Sequence, residues 1–598
     1  MAVSVLTRSY NNARTGVNDQ ETILTPALVG SRGIAKLFSI QLDDLPGMEA
    51  QPLIVSNLGP FADGKNHDVV YACTMKNTIS AFDTLDGHPL WPSPLRLGNP
   101  VQNVPRDQKG AGNIDLKFIN PNWGILSTPV IDRDTSSLYA ISWSTTENTA
   151  TQNSLTKSIH RLHEVDLLTG KEKREPVSID GVVDTASGIK FVSPAQKQRS
   201  ALVLVAVKNA QGNPRKTIFM ACGSVGETRA NAHGWVIAFD VETFKVAATF
   251  ITTRKSHGGG IWQAAQGPAA DGDGHIYFMT GNGGWDGAND FSESFVKLKY
   301  TPASNNAAAS LNIVDWFTPF TDHSIRNANH EVVVQGRHMA ATNQKGYDWT
   351  DQDLGSGGPT LLTDLQLVLG CGKDGVAYVL DQNNFGKTKI ADLENPPQNY
   401  AKLKSPPIFF TFNGLGFNAA PADPRGLNHY FLDNKTHHLH ASPLYWNSPD
   451  LGPLLYCWGE NESLRVWSID KSGALQFLAK GNEVASLGAP SPDGHGGMPG
   501  GMLTLSSNRG VVGSGIVWAL APLNGDANSS VTQGVFRAYD ATNFIKNQDG
   551  TKSLKLLWHS DQWNILFKHN KFNLPVVANG RIFVPTYNGT IDVYGLTP

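Results

Sequence analysis

The 598-residue sequence lacks long apolar runs and blocks of like charge, and both absences exclude classes of protein. A transmembrane helix needs about 20 consecutive apolar residues, and no run approaches that length. The 49 basic residues are balanced by 52 acidic ones and are spread along the chain. Because nucleic-acid-binding proteins concentrate positive charge, we expect neither a membrane span nor a nucleic-acid partner.

Cysteine is also scarce. The four cysteines lie far apart, each in or beside an apolar stretch, at Cys73, Cys222, Cys371 and Cys457. No CxxC or CxxCH spacing occurs, so we expect no attached c-type haem. This pattern favours buried free thiols over a disulfide framework or a metal site.

A secretory leader is missing as well, since no charged segment followed by an apolar one precedes the first candidate strands. We therefore expect a soluble protein, either cytosolic or extracytoplasmic with its leader removed.

Glycine and proline are abundant and dispersed: 59 glycines and 34 prolines punctuate the whole chain. Such punctuation is typical of many short strands joined by turns. The segment from Thr74 to Trp91 combines an alternating strand, an Asp-x-x-x-Gly turn and a tryptophan. Weaker copies of it begin at His160, Gly234, Gly375, Leu464 and Val535. Repeated four-stranded units of this kind indicate the blades of a β-propeller.

We predict an all-β fold: a single eight-bladed propeller of four-stranded antiparallel blades that spans residues 1–598. A candidate strand at 35–41 stands alone near the N-terminus. Its expected role is to pair with the C-terminal blade and close the ring, which removes an exposed sheet edge. Long inserted loops are predicted at about 300–353 and 392–440, and loops of this length are usually functional.

The stretch from Gly258 to Leu298 is central to the functional interpretation. It contains two candidate strands around a loop rich in glycine and tryptophan, in which Trp285 and Asn282 lie close together. Bare glycine backbone lets a ligand approach closely. Packing of the tryptophans between blades is the structural alternative, and Trp262, in the sequence GGGIWQ, is less like the tryptophan of the repeats than Trp285 is.

Several motifs together resemble a known family. These are NNARTGVN with the following LTP at 11–26, the GGGIWQ segment, DLGSGGP at 353–359 and GKDGVAYVLD at 372–381. They resemble the quinoprotein alcohol dehydrogenase-like eight-bladed propellers, and more closely a branch of pyrroloquinoline-quinone-repeat proteins of mostly unassigned chemistry. The resemblance covers almost the whole chain and implies the fold more strongly than the function.

The resemblance also implies a cofactor site that binds pyrroloquinoline quinone and Ca²⁺ at the mouth of the central channel. By position, Trp262 matches the tryptophan that stacks on the quinone, and we add Trp285 as a second cofactor-binding candidate. Asn282 matches a Ca²⁺ ligand, and Glu227 lies near the other after a two-residue shift. Oxygen ligands suit Ca²⁺, which would polarise the quinone carbonyl.

Two departures from the family pattern weaken the dehydrogenase hypothesis. No adjacent cysteine pair exists, although the family's dehydrogenases pack such a disulfide against the quinone. The position that we assign to the family's catalytic aspartate is Gly372. Asp374, two positions along, is the nearest substitute that could take the proton of an alcohol.

Histidines supply the remaining candidates. His257 and His233 each fall at the end of a unit near the expected channel mouth, where neutral imidazole could act as a general base. A surface loop is the alternative for both. His438 and His440, which follow His437, could place two metal ligands on one face of an extended segment. The sequence names no third ligand, and a solvated loop is the favoured interpretation.

Three functional hypotheses remain open. The first is a quinoprotein-like oxidoreductase that oxidises an alcohol or sugar. The second is a cofactor-independent propeller enzyme, a lyase, isomerase or cyclase, that acts on a small organic molecule. The third is a non-enzymatic binding or scaffold propeller. An aromatic, glycine-rich mouth favours a small-molecule substrate over a scaffold role.

Overall fold

The computed structural model describes most of the chain. The described ranges are 2–45, 47–102, 119–147, 152–226, 230–264, 266–305, 307–319, 325–326, 332–334, 338–340, 353–373, 375–389, 408–411, 438–486 and 497–598. Within them the protein is built almost entirely from β-strands, which confirms the predicted all-β class. None of the helices in these ranges is long and apolar enough to cross a membrane.

Antiparallel four-stranded groups, numbered here as sheets in chain order, follow one another along the sequence. Sheet 1 contains Leu53–Leu58, His67–Cys73, Thr78–Asp83 and Leu95–Arg96. Sheet 2 contains Val130–Asp132, Ser137–Thr145, Ser158–Asp166 and Val177–Ser178, and its second strand also pairs with Asn99–Gln102, beside Asn122–Trp123. Sheet 3 contains Val203–Lys208, Pro214–Ser224, Trp235–Asp240 and Lys245–Ile251, with Gln196–Lys197 added. Sheet 4 contains Ala269–Ala270, His275–Met279, Phe295–Thr301 and Ser310–Phe317.

The second half of the chain continues this order. Sheet 5 contains Thr360–Leu362, Leu367–Cys371, Val376–Asp381 and Ile408–Thr411. Sheet 6 contains Leu444–Ser448, Gly452–Cys457, Ser463–Ile469 and Leu475–Val484. Sheet 7 contains Met502–Ser506, Ile516–Pro522, Gln533–Lys546 and Lys552–His559, with Val17–Asn18 and Phe567–Lys568 added. One parallel pair, Lys480 with Ser553, joins sheets 6 and 7 into a ten-stranded sheet.

The N-terminal strand pairs with the C-terminal strands, as the sequence predicted. Sheet 8 contains Val576–Ala578, Arg581–Thr586, Thr590–Leu596 and the N-terminal strand Ile34–Gln41. The last two of these strands run antiparallel, with Ile34 opposite Leu596 and Gln41 opposite Thr590. A short helix, Pro26–Arg32, comes directly before this strand; it is capped by the side chain of Thr25 and has proline in its first turn.

Minor elements complete the described ranges. They are the parallel pair Gly283–Trp285 with His338–Ala340, the antiparallel pair Ile325–Arg326 with Val332–Val334, the helix Gln152–Thr156, and the 3₁₀ turns Ser193–Ala195, Leu354–Ser356 and Asp561–Trp563.

Neighbouring sheets pack face to face, and sheet 3 is an example in which the alternate side chains of one strand enter different apolar clusters. In the strand Trp235–Asp240, Val236 and Ala238 enter the apolar cluster shared with sheet 4. Trp235 and Ile237 enter the opposite cluster, shared with sheet 2. Because alternate side chains point to opposite faces, sheet 3 has a core on both sides. The four cysteines are buried and free, as predicted.

Candidate functional site

The site is built around the carboxylate of Asp353, which lies in the loop before the first strand of sheet 5. This carboxylate contacts one residue in a loop of sheet 4 and another in the loop after the second strand of sheet 5. One carboxylate oxygen, Oδ1, accepts a hydrogen bond of 3.0 Å from the backbone N–H of Asn282. The other, Oδ2, lies 2.7 Å from Nζ of Lys373. The two side chains of this ion pair are only 3% and 9% exposed. Burial makes such a pair sensitive to the loss of either partner.

Two glycines allow the backbone to close around this carboxylate. A Cβ at Gly281 would overlap Oδ1 of Asp353 and would lie 3.4 Å from Nε1 of Trp262. Because Gly281 has no side chain, the backbone beside Asn282 can contact both the Asp353 carboxylate and the Trp262 indole. At Gly372 a Cβ would lie 2.6 Å from both Cα and O of Leu354. The position that the family resemblance assigned to a catalytic aspartate thus has no room for any side chain.

Trp262 is half-buried and has a cation over its ring. Nζ of Lys373 lies 5.3 Å from the ring centroid, within the range of a cation–π interaction. The ring centroid of His440 lies 5.9 Å away and that of Phe572 lies 6.5 Å away. The indole is thus bordered by one ammonium and two further rings, an arrangement suited to a flat, anionic ligand.

His440 leads to a second group of polar side chains. Nδ1 of His440 lies 3.0 Å from Oε1 of Glu460, and Nδ1 of His438 lies 3.9 Å from Oε2. Burial raises the pKa of Glu460 well above its usual range; Asp526 adds to this effect and Lys373 opposes it. The solvated loop favoured for the histidines is therefore wrong, because His438 is 3% exposed and His440 is 1% exposed.

Glu293 provides another buried carboxylate near Asp353. Its Oε2 accepts a 2.6 Å hydrogen bond from the backbone N–H of Leu354, and its own N–H donates to the carbonyl of Gly281. The residue has a φ of 49°, a conformation uncommon outside glycine. Glu293 thus connects the backbone at Gly281, beside Asn282, with the backbone at Leu354, beside Asp353.

Trp285 lies in a different apolar cluster from the one next to Trp262. It is 2% exposed and belongs to the cluster that contains Tyr277, Phe295 and Leu354. Trp262 packs against the cluster of sheets 7 and 8. The structure thus places Trp262 beside the Lys373 ammonium and Trp285 in a separate apolar cluster.

His257 lies in a turn that packs against the backbone of Asn282, and His233 pairs with Gly258 of the same turn. The N–H of Gly259 donates to the carbonyl of Asn282, and the carbonyl of His257 accepts from Gly284. Nδ1 of His233 is 3.0 Å from Oγ1 of Thr253. Burial lowers the pKa of both histidines, which favours the neutral form of each imidazole. Of the other predicted residues, Glu227, Asp374 and His437 lie outside the described residues.

Sequence reasoning missed Lys373, Asp353 and Glu460 as site residues. The first two lie in motifs that carried the family resemblance, so their motifs offered a signal. Glu460, in the sequence WGEN, offered none. It comes close to His440 only because the strand Gly452–Cys457 ends beside the segment that contains the histidines.

Comparison with known proteins supports the fold. No family model matches the chain, and no curated protein sequence matches it. The structure is similar to the quinohemoprotein alcohol dehydrogenase from Comamonas testosteroni, with a TM-score of 0.50 and 14% identity over 99% of this chain and 80% of that one. Quinohemoprotein alcohol dehydrogenase ADHIIG from Pseudomonas putida HK5 gives a TM-score of 0.49 and 14% identity, with the same coverages of 99% and 80%. A europium-containing methanol dehydrogenase gives 0.48 and 13%, over 96% of this chain and 87% of that one.

The chain therefore has a β-propeller fold like that of the quinoprotein alcohol dehydrogenases, as its motifs predicted. An identity of 14% places it far from that enzyme, and a likeness at this level concerns the fold alone.

Proposed function

We propose that the protein is an oxidoreductase of the quinoprotein type that oxidises an alcohol or a sugar. The observation that carries this proposal is the buried ion pair of Asp353 and Lys373, which lies between the Trp262 indole and the Asn282 backbone. A carboxylate, an ammonium and an aromatic face are the groups that oxidation beside a planar anionic cofactor requires.

The proposed architecture is one closed eight-bladed propeller that spans residues 1–598. Sheets 1 to 8 would be its blades, and the pairing of Ile34–Gln41 with Thr590–Leu596 would close the ring. Most of the inserted loops predicted at about 300–353 and 392–440 lies outside the described residues, and the described strands Ser310–Phe317 and Ile408–Thr411 within these ranges belong to sheets 4 and 5. Closure in this way removes the free edges that would otherwise promote aggregation.

The described residues fit pyrroloquinoline quinone and Ca²⁺ in their donor chemistry. Trp262 offers a ring that is not fully buried, and Lys373 offers hydrogen-bond donors to carboxylate or quinone oxygens. Asn282 would supply an oxygen ligand, which a hard divalent cation prefers, while the other proposed ligand, Glu227, lies outside the described residues. When bound, the quinone would accept the two electrons released by the substrate, and Ca²⁺ would polarise it.

The protein's own contribution to the reaction is to position groups and to accept a proton. Asp353 would take the hydroxyl proton of the substrate, in place of the aspartate that Gly372 cannot supply. Lys373 and the Asn282 N–H hold the two carboxylate oxygens in fixed directions, which reduces the entropy lost on reaching the reactive geometry. Asp374, which follows Lys373 in the sequence and lies outside the described residues, is the alternative base.

Reconstitution tests the proposal directly. Purified full-length protein is titrated with pyrroloquinoline quinone and CaCl₂ while the melting temperature and dye reduction with a panel of alcohols and sugars are measured. Since a ligand that binds the folded state stabilises it, we expect a concentration-dependent rise in melting temperature together with dye reduction. The absence of both results would reject the quinoprotein function.

Variants then identify the base. We expect Asp353→Asn to lower the turnover number at least about 100-fold, the usual scale for loss of a general base, while the cofactor-induced thermal shift remains. Asp592→Asn is the matched control, because Asp592 is also a buried aspartate paired with a lysine, 3.2 Å from Nζ of Lys36 in sheet 8. Loss of turnover in Asp374→Asn but not in Asp353→Asn would move the role to Asp374.

A further inference from the structure

A group of potential metal ligands occurs at His438, His440 and Glu460, where two segments meet beside sheet 6. Each side chain is buried and offers one ligand atom, and these atoms all lie within 4.8 Å of one another. We propose that the three side chains bind a divalent transition-metal ion of the zinc class. This site is separate from the oxygen-ligand Ca²⁺ site considered above.

The local chain conformation explains how both histidines reach the same place. The segment from His438 to His440 alternates, and the side chain of Leu439 between them enters the apolar cluster of sheets 5 and 6 with 0% exposure. The imidazoles on either side of Leu439 are close neighbours, with ring centroids 6.0 Å apart. The third ligand, Glu460, follows the strand Gly452–Cys457.

Backbone contacts hold these segments in place. The N–H of Glu460 donates a 3.0 Å hydrogen bond to the carbonyl of His438. Next to it, the N–H of Leu439 donates to the carbonyl of Gly372, and Oγ of Ser356 donates to the carbonyl of Leu439 at 2.6 Å. The ligand-bearing backbone is therefore fixed by the fold before any ion binds, as an effective metal site requires.

Close packing from sheet 7 supports the same backbone. A Cβ at Gly500 would lie 3.0 Å from N of Glu460 and 2.8 Å from O of Trp458. Gly500 also has a φ of 78°, so both space and conformation require glycine. The approach of this glycine limits how far Glu460 can move away from the histidines.

The ligand set identifies the class of ion. Two imidazole nitrogens and one carboxylate oxygen form a set used by catalytic zinc sites, and imidazole suits zinc better than it suits calcium. Zinc bonds of about 2.0–2.2 Å place the ligand atoms of a tetrahedral site ~3.3 Å apart. Here Nδ1 of His440 lies 3.0 Å from one Glu460 oxygen, Nδ1 of His438 lies 3.9 Å from the other, and one ligand atom of each residue lies within 4.8 Å of the other two. Calcium would need six to eight oxygen ligands.

Burial gives a physical reason for a cation. The side chain of Glu460 is 2% exposed, and placing a carboxylate in the protein interior is costly unless opposite charge accompanies it. The nearby ammonium of Lys373 is also engaged with Asp353 at 2.7 Å. An ion bound by the three side chains would supply positive charge within bonding distance of Glu460.

The ion would also fix one wall of the pocket next to Trp262. The imidazole of His440 lies 5.9 Å from the Trp262 ring and 6.0 Å from the Phe572 ring, measured between centroids. A histidine that ligates a metal loses the freedom to rotate. We therefore assign the ion a role in holding the aromatic wall, with its fourth coordination position available to water or a ligand.

Metal analysis of the purified full-length protein is the first test. The protein is stripped with a chelator, incubated with ZnCl₂ or CaCl₂, desalted, and assayed for bound metal and melting temperature. We expect about one zinc per chain and a higher melting temperature with zinc, whereas any calcium taken up would belong to the oxygen-ligand site of the proposed function and would not prevent zinc from binding. Failure to retain zinc together with an unchanged melting temperature would overturn the proposal.

A variant localises the ion. Glu460→Gln preserves the shape of the side chain, and we expect it to weaken zinc binding by more than the ~10–100-fold that changes outside the ligand set cause. The control is His569→Gln, because His569 is also 3% exposed but does not belong to the cluster. Zinc affinity equal to that of the wild type in Glu460→Gln would contradict the assignment.

Cobalt provides a readout that needs no variant. Co²⁺ in a tetrahedral nitrogen and oxygen site gives intense visible d–d absorption, and added ZnCl₂ should abolish it in a 1:1 ratio. Wild-type protein without these bands would refute the site even if Glu460→Gln failed to fold. None of these measurements uses pyrroloquinoline quinone or dye reduction, so the metal site and the proposed oxidoreductase function can fail separately.

Discussion

The buried ion pair of the candidate site and the ion pair of sheet 8 have the same chemistry in different surroundings. Asp353 and Asp592 have side chains that are equally hidden, each 3% exposed. Their partners differ: the side chain of Lys373 is 9% exposed and that of Lys36 is 39% exposed. Asp592 also accepts a 2.8 Å hydrogen bond from the hydroxyl of Ser39. The access of water to the cation, rather than the burial of the carboxylate, distinguishes the two regions.

The His–carboxylate groups show the same contrast. In the buried group, desolvation is the main influence on Glu460 and raises its pKa, which favours the neutral form. Between two paired strands of sheet 1, the main influence on His67 is its hydrogen bond to Asp83, which raises the pKa of His67 and favours the charged form. Burial therefore favours the neutral form of Glu460, whereas hydrogen bonding favours the charged form of His67. The experiments below test this difference between the two regions.

The largest effect is expected from Lys373→Met. This change leaves the buried Asp353 carboxylate without its cation, and the expected loss in free energy of unfolding is about 3–5 kcal/mol. Lys36→Met is the matched change at Asp592, and it should cost no more than about 1 kcal/mol because water reaches that pair. Urea unfolding of both variants measures the difference. Equal losses would show that exposure of the lysine does not control the strength of these pairs.

A smaller effect is expected from two glycine-to-alanine changes in turns. At Gly372 the added methyl group meets backbone atoms of Leu354 at 2.6 Å, so the loop that carries Lys373 must shift. The expected cost is about 1–3 kcal/mol. Gly272, in the surface turn between Asp271 and His275, has no atom within 4 Å of an added Cβ.

Gly272→Ala should therefore be neutral, or stabilising by up to about 1 kcal/mol because alanine restricts the unfolded chain. Thermal unfolding of both proteins tests this pair of changes. A neutral Gly372→Ala would mean that the loop adapts, which would also weaken the argument that no side chain fits at that position.

The same contrast explains which features the sequence could predict. The strand of sheet 8 at Ile34–Gln41 could be found because its alternation and its isolation are local properties. The burial of His438 and His440 could not be predicted, since it depends on Glu460 and Gly500, which lie on other segments. Asp353 and Lys373 stood in recognised motifs, but their pairing is a contact between two loops that no periodicity encodes.

The smallest expected effect is the pH dependence of stability that His67 contributes. Hydrogen bonds to Asp83 and Asp63 raise the pKa of His67 above its ordinary value of 6.5, and partial burial opposes them only in part. Because the folded protein holds this proton more tightly, the added stability is complete below pH 6.5 and is lost as the pH rises through the folded pKa of His67. In a pH series of urea unfolding, His67→Gln should lack this decline, which is worth at most about 1 kcal/mol.

His569→Gln is the control from the interior. Burial lowers the pKa of His569 to about 3, so above pH 6.5 this residue is neutral in both the folded and the unfolded chain. The variant should therefore keep the wild-type slope in that window, whatever it costs in absolute stability. If His67→Gln also kept that slope, the hydrogen bonds of His67 to Asp83 and Asp63 would not distinguish the charged from the neutral imidazole. The contrast between the two regions would then reduce to desolvation alone.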